Sequence, residues 1–146
     1  MSRFSFDIAD ERRLYQQGIT LFNDQEYFAA HDAWEEVWSE VQHRRREQFY
    51  RAIIRGAVSL VLLQSGRAVG ARQVFVDCID TFEGLGPIFM GLDIPRHIEQ
   101  LRHALHPALV DLEATNVRIE PERLFKMELI YDPFETSPNG EELAES

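Results

Sequence analysis

Apolar residues recur along most of this chain at spacings of three and four, the pattern of helices that pack by one face. Leu14, Gly18, Leu21 and Phe22 share a stripe and predict a first helix from Ala9, with Asp10 as its N-cap and Asn23-Asp24 as its break. Tyr27, Phe28, His31, Trp34, Val37, Trp38 and Val41 predict a second helix over about 25–42 with one broad aromatic face. The basic run His43-Arg44-Arg45-Arg46 reads as a turn, where positive charge suits the end of the second helix. Between Ala52 and Leu63 only Arg55 is charged, so the third helix, about 47–64, is apolar nearly all round. Such a helix belongs at the centre of a bundle.

Ser65-Gly66 ends that helix, and Ala71, Val74, Phe75, Cys78, Ile79 and Phe82 predict a fourth over about 69–83. A Gly/Pro-rich connection over 84–95 leads to a fifth helix at Pro95 or Arg96. Its stripe is Ile98, Leu101, Leu105, Leu109 and Leu112, with Pro107 as a kink or a new turn. The expected fold is all-α, a multihelical array of about five helices with the third one central. Residues 1–114 form the helical domain. Residues 115–134 read as an extended apolar arm that either wraps the bundle or docks on a second chain, and 135–146 as a disordered acidic tail.

Composition narrows the function. With 45% hydrophobic residues in 146, the chain can bury a core without staples, and its one cysteine, Cys78, excludes a disulfide framework or a multi-Cys zinc site. The balance of 15 basic to 25 acidic residues, a net charge of −10, argues against a nucleic-acid or anionic-membrane partner. Neither a signal peptide nor a run of 18 apolar residues is present, so a cytoplasmic location is expected. Of the basic residues only Lys126 is lysine; the rest are arginine, which suits paired, partly buried charges.

One block is more specific. Tyr27-Phe28-Ala29-Ala30-His31-Asp32-Ala33-Trp34-Glu35-Glu36-Val37-Trp38 is followed by Phe49-Tyr50-Arg51-Ala52-Ile53-Ile54-Arg55-Gly56-Ala57-Val58, and later by Gly70-Ala71 and Gly91-Leu92-Asp93-Ile94-Pro95. Over about residues 12–110 the chain resembles the family called domain of unknown function 309. The resemblance implies a multihelical array and, by an analogy applied to family members, a metal-dependent hydrolase. The chain departs from it where the family often carries Gln-Gly-Leu-Ile-Gln and this sequence has Arg51 to Arg55, and where a His near the end of that helix is replaced by Leu62.

The candidate site residues are His31, Glu35, Glu36, Arg51 and Arg55, with Trp34 and Trp38 as aromatic anchors. His31 and Glu35 lie one turn apart and offer two metal ligands, where a catalytic zinc needs about three. The structural reading is that His31 bonds a neighbouring carboxylate. Arg55, inside an apolar helix, must be paired; Asp32, Glu35 or Glu36 on the second helix are the expected partners, and a pocket for a small anion is the functional alternative. Glu99, His103 and His106 share a face of the fifth helix but lie opposite its leucines, so they read as solvated. No metal or other cofactor is predicted. The expectation is a non-enzymatic module for self-association or partner binding, a homodimer with no defined small-molecule ligand. The alternative is a metal-dependent hydrolase or small-anion-binding protein built around His31, Glu35 and Arg55.

Overall fold

In the computed structural model, which describes residues 6–135, the first helix is α1 (Ile8–Asn23). Its cap is Asp7, not Asp10: the Asp7 carboxylate accepts from the Asp10 amide while the Asp10 carboxylate accepts from the Asp7 amide. Asp10 is therefore the second half of a capping box. Helix α2 (Tyr27–Glu40) follows after a tight turn, then α3 (Arg44–Gln64) and α4 (Ala68–Phe82). The basic run is not a turn. His43 caps α3 by accepting from the Arg46 amide, and the three arginines form its first turn. That placement opposes the helix dipole, and the cost is met by tertiary contacts. Arg46 pairs with Glu11, and Arg45 donates to the Leu85 carbonyl and lies over the Phe89 ring.

Helix α3 is central, flanked by α2 on one side and α4 on the other. Phe49, Tyr50, Ala52, Ala57, Leu60 and Leu63 are all enclosed. The connection after α4 holds a two-residue antiparallel ladder, β1 (Ile88–Phe89) with β2 (Leu92–Asp93), closed by Met90-Gly91 in left-handed backbone. A Cβ on Gly91 would sit 2.3 Å from the Tyr131 carbonyl oxygen, so the arm can cross here only over a glycine. Helix α5 (Ile94–Ala104) begins with Pro95 and the Asp93 cap; Pro107 opens the short α6 (His106–Leu109). The predicted fifth-helix stripe therefore stops before Leu112, which is largely exposed.

Residues 115–134 contain one 3-10 turn, Pro121–Arg123, and cross their own bundle. Asn23 holds the Met127 backbone on both sides, its amide donating to the carbonyl at 3.1 Å and its carbonyl accepting from the N–H at 2.7 Å. Phe125 packs on Phe22 and His97, the Ile130 N–H donates to Gly91, and Arg12 pairs with Asp132 and Glu135. The expected acidic tail lies, from residue 136 on, outside the described residues. No helix among the described residues is long and apolar enough to cross a membrane.

Candidate functional site

The aromatic block of α2 is divided by its helix into two faces. Trp34 is fully enclosed, and its indole N–H donates to the Tyr15 carbonyl at 3.2 Å. Helix α1 makes room for it with Gly18, where a Cβ would fall 2.1 Å from the indole nitrogen. Tyr27 is enclosed with it, and burial lifts its phenol to about 12. Trp38 is only partly buried, and Phe28 is 62% exposed, so the predicted broad aromatic face is in fact a narrow core stripe with an aromatic edge left outside.

On that outer edge His31 stacks on Phe28, with ring centroids 5.4 Å apart. Its Nδ1 is 3.1 Å from Asp32 and its Nε2 3.6 Å from Glu35. One ligand atom from each of His31, Asp32 and Glu35 can be chosen so that all three lie within 4.8 Å of one another. Glu36 is exposed and takes no part in this group. Among the described residues no side chain of another helix bonds the cluster.

Arg51 and Arg55 are elsewhere. They project from α3 toward α4, where Gln48, Asp77, Asp80 and Thr81 complete an open groove of about 380 Å³. Arg55 is half-buried and donates to the Thr81 hydroxyl, not to a carboxylate of α2. The reason is geometric: α2 and α4 flank opposite sides of α3, and residues 51 and 55 fall on the α4 side. The expected Arg55 ion pair is thus absent, and His31, Glu35 and Arg55 do not form one site. Two arginines and two aspartates line the groove, so it carries no excess positive charge to select an anion.

The buried ion pair exists, at residues the sequence reading did not single out. Glu11 is 1% exposed and receives Arg46 through two parallel contacts, Nε to Oε2 at 3.0 Å and Nη2 to Oε1 at 3.2 Å. The Tyr50 hydroxyl donates to Oε2 at 2.7 Å. Burial first, then the adjoining carboxylate, hold the Tyr50 phenol well above its usual range. Glu11 lies in line with Leu14, Gly18 and Phe22, so a carboxylate on the apolar stripe was the available signal. His97 is a second such residue. It is enclosed by Phe22, Phe82 and Phe125, its Nδ1 has no hydrogen-bond partner among the described residues, and desolvation lowers it to about 4.

Of the remaining expectations, Cys78 is enclosed, with its thiol against the Ala52 carbonyl and pushed up by burial to about 12, so it is no nucleophile. Glu99 pairs with Arg102, and His103 meets Arg123. His106 starts a separate helix, which breaks the predicted row.

Fold and site define a small all-α array whose chemistry-bearing side chains are divided between separate faces. Residues 15–74, from α1 into α4, match the model of the family described as domain of unknown function (DUF309). The resemblance to that family is thereby shown over that stretch. No curated protein matches the chain.

Proposed function

We propose that the chain is a non-enzymatic helical module that acts by self-association, as a homodimer. The supporting observation is that exposed apolar residues occur both on α4, Val69 and Val76, and in the segment held against that helix, Val110 and Leu112. Arg72 gathers them: from α4 it donates to the carbonyls of Ala108 at 2.8 Å and Leu112 at 3.1 Å, which ties the segment after α6 against the helix. An apolar group of this kind, on a chain whose arm is spent on its own bundle, suits a contact with another protein surface. Light scattering of the full chain across micromolar concentrations tests it. A mass of two chains that falls to one in Val76→Asp/Leu112→Asp is expected; a single-chain mass throughout overturns it.

The grouping of His31, Asp32 and Glu35 favours a second reading, a divalent cation held on the outer face of α2. Metal analysis of untagged protein separates the two. Stoichiometric metal lost in His31→Ala supports the second reading, and metal-free protein overturns it.

A further inference from the structure

The exposed valines suggest that something docks; the charges beside them indicate what. Arg12, Arg13, Arg45, Arg46, Arg72, Arg102 and Arg123 each have a carboxylate or a carbonyl partner; in the groove between α3 and α4 two arginines without one lie beside two carboxylates. Arg51, Asp77 and Asp80 make no side-chain hydrogen bond or ion pair among the described residues, and Arg55 bonds only Thr81. Two guanidinium groups along one wall face two carboxylates along the other, all within reach of solvent.

Their register is fixed by the core beneath them. Cys78 bonds the Ala52 carbonyl, and a Cβ on Gly70 would touch Leu62. In this antiparallel pair those contacts put Arg51 level with Asp80 and Arg55 level with Asp77. The groove rests on bonded elements: the Thr81 hydroxyl, which takes Arg55, donates to the Asp77 carbonyl, and the Gln48 amide donates to the carbonyls of Thr81 and Glu83.

Closed dimers use one patch twice, so whatever a residue meets on the other chain must meet it in return. A patch with cations on one helix and anions level with them on the next meets that condition in one orientation. With the two-fold axis running along the groove, each α3 lies on the other chain's α4. Arg51 then faces the partner's Asp80, and Arg55 faces the partner's Asp77. With the axis across the groove, arginine would lie on arginine and aspartate on aspartate, which is repulsive at every contact. Val69 and Val76 follow the same ridge of α4 and supply apolar area beside the charges.

We infer that the α3–α4 face is the self-association surface, occupied by a second copy of this chain with each α3 against the other's α4. This rests on the homodimer reading and names its surface. Arg51 and Asp80 are exposed and unpaired, so their variants keep the fold. Arg51→Glu alone and Asp80→Arg alone each set like charges against each other and should raise the dissociation constant by about tenfold or more. Mixed in equal amounts, the two variants have opposite charges at both contacts and should form a heterodimer of near wild-type strength, visible by native mass spectrometry. The neutral pair, Arg51→Gln and Asp80→Asn, should weaken the dimer less and show no rescue on mixing. A wild-type chain that is monomeric at all concentrations overturns the homodimer reading and this surface with it. A wild-type dimer that tolerates both charge reversals, or variants that do not recombine, overturns this surface alone.

Discussion

Two sets of arginines and carboxylates lie on opposite sides of α3, and the fold treats them differently. On the α1 side, Glu11 is enclosed and Arg46 largely covered, and the pair is held by two hydrogen bonds and joined by Tyr50. On the α4 side, Arg51 and Arg55 share an open groove with Asp77 and Asp80 and make no ion pair among the described residues. The side-chain types are the same, so burial makes the difference. A charge out of water must be matched within the chain or the fold loses several kcal/mol, whereas a charge in water has no such requirement and remains available to another molecule. The enclosed set supports stability, and the open set is where the proposed self-association would act.

The sharpest way to break this contrast is to remove one member of the enclosed set. Arg46→Met leaves the Glu11 carboxylate buried beside a phenol with no cation and should cost about 3–5 kcal/mol, read as a large fall in melting temperature. Replacing both, Glu11→Leu with Arg46→Met, should recover much of that loss, because the penalty belongs to the uncompensated charge. If Arg46→Met melts with the wild type, the enclosed pair does not carry the stability assigned to it.

His97 extends the same test to pH. Its folded pKa, about 4, is below the usual 6.5, so the unfolded chain takes up the proton first. Stability from this residue is complete above about pH 6.5 and is lost as the pH falls toward 4, by about 3 kcal/mol in all. His97→Phe suits the surrounding rings and should flatten the fall in that window. An unchanged acid profile in the variant would assign the loss to other groups. Asn23→Ala is smaller in effect: it removes two bonds to Met127 from the arm and should cost about 1–2 kcal/mol by denaturant titration. No loss would mean the arm is held by its apolar contacts alone.

Much of this was legible from the sequence, unevenly. Helix existence and the centrality of α3 follow from periodicity, because a run with Arg55 as its only charge has no other place to go. Which side of α3 Arg55 faces was not legible, since that depends on how α2 and α4 pack around it, and local spacing says nothing of that. The turn read into Arg44–Arg46 failed for a related reason: the dipole rule is local and worth less than the Glu11 pair and the Phe89 contact that hold those arginines. The path of the arm is set by Asn23, Gly91 and Arg12, all remote in the chain from the residues they bind. Glu11 and His97 could have been found, as polar residues in register with apolar stripes.

The smallest expected effect is the most telling for the comparison. The sequence alone assigns Arg55 the role that Arg46 performs, and on that basis Arg55→Met would cost about as much as breaking a buried pair. The structure gives Arg55 a half-buried side chain and one neutral partner, the Thr81 hydroxyl. Thr81 keeps its own bond to the Asp77 carbonyl when Arg55 is gone, so no buried group is stranded. Methionine would also cover the same stem region at little loss of apolar contact. The expected cost is therefore about 1 kcal/mol or less, several-fold below Arg46→Met, when both variants are melted at the same low concentration so that association contributes little. Equal losses at the two positions would erase the distinction between an enclosed side and an open side of α3.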